Sequence, residues 1–342
     1  MSKFIFKDQL DEYKKDLINK KVLTETDGLI GLNTGFEELN KITRGFKNQE
    51  YIIIGARPSM GKTSFSIKIL INALKENKDK ILFLSLEMPK ETIISRIISQ
   101  YKNISLSATL YGEDYDSNIN KIEETLLELE NSNIYIEDFV EESNNIDNID
   151  KIIDSYEKEK GKIDLIIVDY LQLINYKSSN KNISQNNKID EISKRLISIK
   201  KRKKCPLIAL SQLSRDLEKR TDKRPMMSDL RDSGSLEQDA DLIIFLYKHD
   251  VYLEKTFKSK FTETLDPLIE IQLNKIKNKT KNKVELLISK NRNGPLGSVD
   301  IDFIKNTTNF VEINEFIEND QDEIIGDNNI TNIDILFDDI YE

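Results

Sequence analysis

At 342 residues, with 38% hydrophobic and 32% charged residues, the chain has room for one large α/β domain or two small ones and the balance of a soluble globular protein. A single cysteine, Cys205, excludes an internal disulfide, and a single histidine, His249, leaves no Cys- or His-based metal centre to build, so a reducing compartment is expected. The net charge of −9 is unevenly placed: residues 315–342 hold ten acidic residues and no Lys or Arg, which leaves 51 basic against 50 acidic before them, so overall acidity does not exclude a nucleic-acid partner.

The N-terminus carries no apolar core of signal-peptide type, and no run of about 18 apolar residues follows, so no membrane association is expected. Residues 3–20 read as a helix with Phe6, Leu10, Tyr13 and Leu17 on a narrow stripe. A lone helix of this kind is marginal in water, so it is either a frayed terminus or a docking arm for a neighbouring subunit. Gly28, Gly31, Gly35 and Gly45 mark turns around a short helix over 36–42.

A buried strand over 51–54, a loop over 55–61 and a helix from Lys62 or Thr63 to about Asn77 come next. Such a loop turns backbone N–H groups inward, and the helix N-terminus adds partial positive charge, which makes a cradle for an anion. The candidate phosphate-binding residues are Gly55, Ala56, Arg57, Pro58, Ser59, Met60, Gly61, Lys62, Thr63 and Ser64. Lys62 brings charge to the outer phosphates and Thr63 offers a hydroxyl to magnesium, the pattern of a nucleoside-triphosphate enzyme. Ala56 stands where that pattern has Gly, and fits if its φ stays negative.

Residues 80–87 form a second apolar strand ending on Glu87, at the carboxyl edge where parallel sheets carry their active sites. A helix over 90–100, an amphipathic helix on Ile122, Leu126 and Leu129, a strand over 133–137 and a helix on Ile146, Ile149, Ile153 and Tyr156 follow. The strand 163–170 places Asp169 after five apolar residues, where a carboxylate holds magnesium. Tyr170, not Glu, comes next, so the catalytic base is expected at Glu87.

Residues 175–187 read as a polar loop. The helix on Ile189, Ile192, Leu196 and Ile199 ends in a basic run over 200–204, expected to be a solvated face. The strand 206–212 ends on Gln212, placed to hydrogen-bond the γ-phosphate and sense its loss. Charged residues 215–224 surround Leu217, a loop over 231–235 offers donors to phosphates, and a strand over 239–247 follows. Eight lysines from Lys255 through Lys283 mark a polar stretch before a strand over 284–289, a turn over 290–295 and a hairpin over 296–304 and 309–313. The acidic tail over 314–342 reads as disordered, with an apolar patch at 333–337.

The blocks Gly-Ala-Arg-Pro-Ser-Met-Gly-Lys-Thr (55–63), Ser-Leu-Glu-Met (85–88), Val-Asp-Tyr-Leu-Gln-Leu-Ile (168–174), Leu-Ser-Gln-Leu-Ser-Arg (210–215), Lys-Arg-Pro-Met-Met-Ser-Asp-Leu-Arg (223–231), Ser-Gly-Ser-Leu-Glu-Gln-Asp-Ala-Asp (233–241) and Arg-Asn-Gly-Pro-Leu-Gly (292–297) resemble the motor domain of replicative DNA helicases of the DnaB family. The resemblance covers about residues 30–312. It implies an α/β fold, a RecA-like P-loop NTPase core with a mostly parallel sheet. It also implies a homohexameric ring around single-stranded DNA and 5′→3′ translocation driven by ATP with Mg2+. By that resemblance Lys62 and Thr63 bind phosphate and magnesium, Asp169 supports the metal, Glu87 polarises the attacking water and Gln212 couples phosphate state to the DNA loops. Arg292 with Lys290 would reach a neighbouring subunit's site, and Arg231, Asp232 and Gly234 match the loop that holds the DNA backbone.

Asp232 and Asn291 replace the commoner Glu and Gln, and the stretch around 252–283 is longer than the family pattern. The family's N-terminal collar of about a hundred residues, which recruits primase, has room here only for the helix 3–20, so primase or a helicase loader enters as a partner by resemblance alone. The expected division is a linker helix over 1–25, a motor over 26–313 and a tail over 314–342, in the cytoplasm of a bacterial or phage-infected cell or in a plastid stroma. The rival readings are a RecA-like recombinase or regulatory ATPase that does not unwind DNA, and an accessory subunit of a longer helicase.

Overall fold

The computed structural model describes residues 6–26, 28–140, 143–176, 184–230, 234–248, 250–252 and 282–313. Arg231, Asp232, His249, residues 177–183 of the expected loop, most of the 252–283 stretch and the tail 314–342 lie outside the described residues. The elements are α1 (Phe6–Thr26), α2 (Glu37–Thr43), β1 (Tyr51–Ala56), α3 (Lys62–Lys75), β2 (Ile81–Ser85), α4 (Lys90–Lys102), α5 (Leu106–Tyr111), α6 (Tyr115–Glu130), β3 (Tyr135–Asp138) and α7 (Ile146–Lys160). They continue with β4 (Leu165–Asp169), α8 (Gln185–Lys203), β5 (Leu207–Gln212), α9 (Gly234–Asp239), β6 (Leu242–Tyr247), β7 (Lys283–Asn291), β8 (Gly297–Ile304) and β9 (Asn309–Glu312).

The described strands form one sheet in the order β3-β2-β4-β5-β1-β6-β7-β8-β9. The first six pair in parallel, and β7, β8 and β9 are added antiparallel. Every residue of β1, β2, β4 and β6 is buried, so both faces of the sheet are covered. That is why these strands are unbroken apolar runs instead of alternating ones. Each buried Ile or Leu contributes about 1.5–3 kcal/mol, which makes the sheet a rigid support. The parallel arrangement brings the ends of β1, β2, β4 and β5 to one edge, with Ala56 opposite Gln212 and Ser85 opposite Asp169.

Several expectations are corrected. The helix α8 starts at Gln185, inside the span read as loop, because the Ser184 side chain caps it by accepting from the Asn187 N–H. The basic run after it is not a uniformly solvated face. Lys200 and Lys203 are buried, since they continue the apolar stripe of α8 inward, and they pair with Asp241 and with Asp154 and Glu157. The last strand of the parallel set begins at Leu242, three residues later than expected, because Gly234–Asp239 forms α9. Asp239 there accepts from Ser193 Oγ, and Asp241 accepts from the Tyr51 N–H, so both carboxylates end segments instead of entering the ladder. Leu126, expected on the buried stripe of α6, is exposed, while Thr125 beside it is buried. The short helix α5 is not announced by an apolar period; its first turn rests on a Ser105 cap that accepts from the Ala108 N–H.

Helix α1 runs six residues past its expected end, and Leu10, Tyr13, Leu17, Ile18 and Val22 on it are exposed. Under the phosphate loop, Phe36, Phe65, Phe310 and Phe303 pack in sequence, with ring centroids 4.8–5.4 Å apart. Lys248 lies over the Phe303 ring at 3.5 Å and is only 5% exposed. Burial pushes its ammonium down to about 8, with Asp250 opposing and Lys305 reinforcing the shift. Below pH 8 the folded state therefore bears the full cost of a buried charge, about 3 kcal/mol for this shift. Between pH 8 and 10.5 the unfolded chain holds more protons, and the cost fades as pH rises. Lys248→Met is expected to raise the melting temperature at pH 7, with the gain reduced by the lost contact with Phe303, worth about 1–2 kcal/mol. The difference from wild type should shift against the variant between pH 8 and pH 10.5, and a difference independent of pH would refute the buried-charge account.

Candidate functional site

Ala56 is the last residue of β1 and keeps strand geometry, so that position needs no glycine. The close approach falls one residue earlier: a Cβ on Gly55 would lie 2.7 Å from the Phe245 ring. Gly61, at φ +91°, ends the loop as the N-cap of α3, and a Cβ there would meet Phe310 at 2.9 Å. Met60 is buried behind the loop, and Pro58 and Ser59 are exposed at its tip. Arg57 is buried, its Nε donating to Glu218 at 2.9 Å and its Nη1 to the Leu213 carbonyl at 2.8 Å. It braces the loop against the 3-10 turn Arg215–Lys219, whose single apolar residue, Leu217, is buried.

A cleft of about 360 Å³ opens at this edge, lined by Arg57, Pro58, Ser59, Gly61, Lys62, Thr63, Ser64, Glu87, Met88, Arg96, Gln212, Phe303 and Thr308. Thr63 Oγ1 donates to Asp169 Oδ2 at 2.6 Å, and Lys62 Nζ lies 4.3 Å from the Tyr170 ring centroid. Burial lowers the Lys62 ammonium, and the charges of Asp169 and Glu87 oppose that. Burial raises the Asp169 carboxyl, with Lys62 and the Thr63 hydroxyl opposing. Glu87 sits two residues past β2, in a turn fixed by Ser85 Oγ donating to the Met88 carbonyl at 2.6 Å and by the Leu86 N–H donating to the Asp169 carbonyl at 2.6 Å.

Lys290 and Arg292 are at the other edge of the sheet. Lys290 Nζ donates to the Glu237 and Gln238 carbonyls at 2.6 and 3.0 Å, and Arg292 donates to the Gln238 carbonyl and, at 3.4 Å, to Asp241. Gly234 is the exposed first residue of α9, whose other end carries these two carbonyls.

The residues fit a nucleoside triphosphate with magnesium. The N-terminus of a 14-residue helix, Lys62 and a loop with Ser59 and Gly61 at positive φ form an anion cradle. Asp169 Oδ1 is buried with no hydrogen-bond partner among the described residues, beside the Thr63 hydroxyl. One carboxylate and one hydroxyl suit magnesium, which takes its remaining ligands from phosphates and water. Among the described residues no cluster of three His, Cys, Asp or Glu forms a site for a metal held by protein alone.

Residues 31–312 match the family model described as DnaB-like helicase C terminal domain. The chain belongs to that family. It is 37% identical to the replicative DNA helicase DnaC of Bacillus subtilis over 83% of this chain and 57% of that protein. It is 36% identical to the replicative DNA helicase DnaB of Geobacillus stearothermophilus over 90% of this chain and 62% of that one. The chain thus spans about three-fifths of the length of these relatives. Its fold is similar to a solved structure described as an ATPase domain (TM-score 0.74, 33% identity, 92% of this chain and all of that one). It is also similar to a DnaB-like replicative helicase whose structure describes interactions with primase (TM-score 0.71, 34% identity, 92% and 68%).

Family blocks do not disclose every residue at the cleft. Arg96 on α4 faces it, with Nη1 3.4 Å from Ser64 Oγ and Nε buried without a hydrogen-bond partner among the described residues. Its one sequence signal is a cation set between Ile93 and Ile97 on an otherwise apolar face. Phe303 and Thr308 reach the cleft from the β8–β9 hairpin, whose approach to the cleft no local pattern announces.

Proposed function

We propose that this chain is the motor of a replicative DNA helicase, an ATPase that moves 5′→3′ along single-stranded DNA as a hexameric ring and unwinds duplex DNA during replication. The observation that carries this reading is the convergence of Lys62, Thr63, Asp169, Glu87 and Gln212 at one sheet edge, in a chain of the DnaB-like family. ATP is the substrate and Mg2+ its companion. When bound, the metal neutralises charge on the phosphate oxygens. The Thr63 hydroxyl and the Asp169 carboxylate would hold it, and Lys62 with the α3 N–H groups would bind the outer phosphates. Glu87 orients a water and takes its proton. Gln212 hydrogen-bonds the transferred phosphoryl group, and Arg292 from another copy stabilises its charge.

The DNA backbone would be held by the loop of Arg231, Asp232 and Gly234, with contacts to phosphate that carry no sequence information and so suit movement over any sequence. Residues 1–25 serve in this reading as a linker that docks on a neighbouring motor, residues 26–313 as the motor and residues 314–342 as an acidic tail. Primase or a helicase loader is the proposed protein partner. Among the described residues no helix is long and apolar enough to cross a membrane, and the proposed location is the cytoplasm or a plastid stroma.

The test is ATP hydrolysis by the purified chain with and without single-stranded DNA. Turnover that requires magnesium, rises with DNA and falls by about 10²-fold or more in Lys62→Ala is expected. Six-fold rings by electron microscopy and unwinding of a forked duplex complete the reading. Robust turnover without any DNA response would favour an ATPase of another kind.

A further inference from the structure

We infer that Gln172 is a positioning residue that sets the place of Gln212, by supplying with its side chain a strand pairing that the sheet lacks at that point. The inference rests on the proposed role of Gln212. β5 pairs with β1 along its whole length, ending with Gln212 opposite Ala56. On its other side the pairing with β4 stops at Val168 opposite Ala209. The chain leaves the sheet after Asp169 and enters the 3-10 turn Leu171–Leu173. The Leu213 N–H donates to the Ala56 carbonyl at 3.1 Å, on the β1 side. Strand alternation then points both the N–H and the C=O of Gln212 to the side that β4 has vacated. Left there, they would be groups in need of partners at the wall of the cleft.

The Gln172 carboxamide meets both. Its Oε1 accepts from the Gln212 N–H at 3.2 Å, and its Nε2 donates to the Gln212 carbonyl at 3.2 Å and to Ser211 Oγ at 2.9 Å. A carboxamide carries the same donor and acceptor as a peptide, so the side chain acts as one more residue of β4. Gln212 is thereby clamped between the strand that leads into the phosphate loop and a turn that begins at the magnesium carboxylate. That turn already reaches the other groups: Asp169 holds Thr63, and the Tyr170 ring lies under Lys62. Four residues, 169–172, thus register the metal ligand, the phosphate lysine and the γ-phosphate sensor to one another.

The test is Gln172→Met, which keeps length and removes the amide, measured beside Gln212→Ala and the double variant. With the melting temperature retained, Gln172→Met is expected to lower kcat by about 10-fold to 100-fold while KM for ATP stays within about twofold, and to lose stimulation by DNA. The double variant should be no slower than Gln212→Ala alone, since both changes act through one group. Wild-type kcat and stimulation in Gln172→Met, or losses that multiply in the double variant, would overturn the inference. If Gln212→Ala keeps full turnover, the role of Gln212 falls and the inference with it; if only Gln172→Met keeps it, the function stands and the inference alone falls. Amide exchange in the wild-type protein gives a readout that no folding defect confounds. The Gln212 N–H is expected to exchange slowly, and exchange at the rate of an open loop would overturn the clamp.

Discussion

Glu87→Gln is expected to lower ATP turnover by about 10²–10⁴-fold, the usual worth of a general base, while nucleotide binding stays near the wild-type level. The backbone turn that presents Glu87 is held by Ser85 Oγ and by the Asp169 carbonyl, and neither contact uses the Glu87 side chain. The amide therefore keeps the shape of the site and removes the proton acceptor. In the proposed site, binding rests on Lys62, Thr63 and the N-terminus of α3, which the substitution leaves in place. Loss of a negative charge beside the phosphates favours retention of nucleotide, if it changes binding at all. Steady-state turnover together with titration of a fluorescent ATP analogue separates the two effects. Full turnover in Glu87→Gln would move the base elsewhere in the cleft. An equal loss of binding would make Glu87 a structural group.

The parts legible in the sequence are those where one physical rule acts alone. Strands buried on both faces are unbroken apolar runs, and β1, β2, β4 and β5 each stand within a few residues of their expected places. A parallel sheet brings their ends to one edge, so Lys62, Glu87, Asp169 and Gln212 could be gathered from order alone. What stayed hidden depends on partners far away in the chain. Arg57 looks like a phosphate ligand until Glu218, 161 residues later, takes its guanidinium. Lys200 and Lys203 look solvated until Asp241, Asp154 and Glu157 arrive to meet them. The need for glycine at position 61 is set by its φ of +91° together with Phe310, and the role of Gln172 by a ladder that stops three residues short of Gln212.

Arg292→Ala is expected to reduce turnover by about 10³-fold or more, as removal of an arginine finger does, and mixing with Lys62→Ala is expected to restore part of it. β7 runs antiparallel to β6, with Asn291 opposite Leu242, so Arg292 emerges where β6 begins. Asp241, its ion-pair partner, accepts from the N–H of Tyr51, at the start of β1. The phosphate loop begins at the far end of β1, five residues on, or about 16 Å at 3.3 Å per residue. An arginine side chain does not span that distance, so Arg292 is no use to its own cleft. Its guanidinium is half exposed on the opposite edge, resting on Asp241 and the Gln238 carbonyl. In the proposed ring, a head-to-tail arrangement would bring that edge of one copy against the cleft of the next. In a random mixture about a quarter of such interfaces join an intact cleft from an Arg292→Ala copy to an intact arginine from a Lys62→Ala copy. Turnover above that of either variant alone would therefore demonstrate a shared site. Mixed rings that form and stay inactive would rule it out, and full turnover in Arg292→Ala alone would remove Arg292 from the chemistry. Because the same arginine rests on the C-terminal end of α9, its engagement by a neighbour's phosphate would draw on its contacts with the Gln238 carbonyl and Asp241.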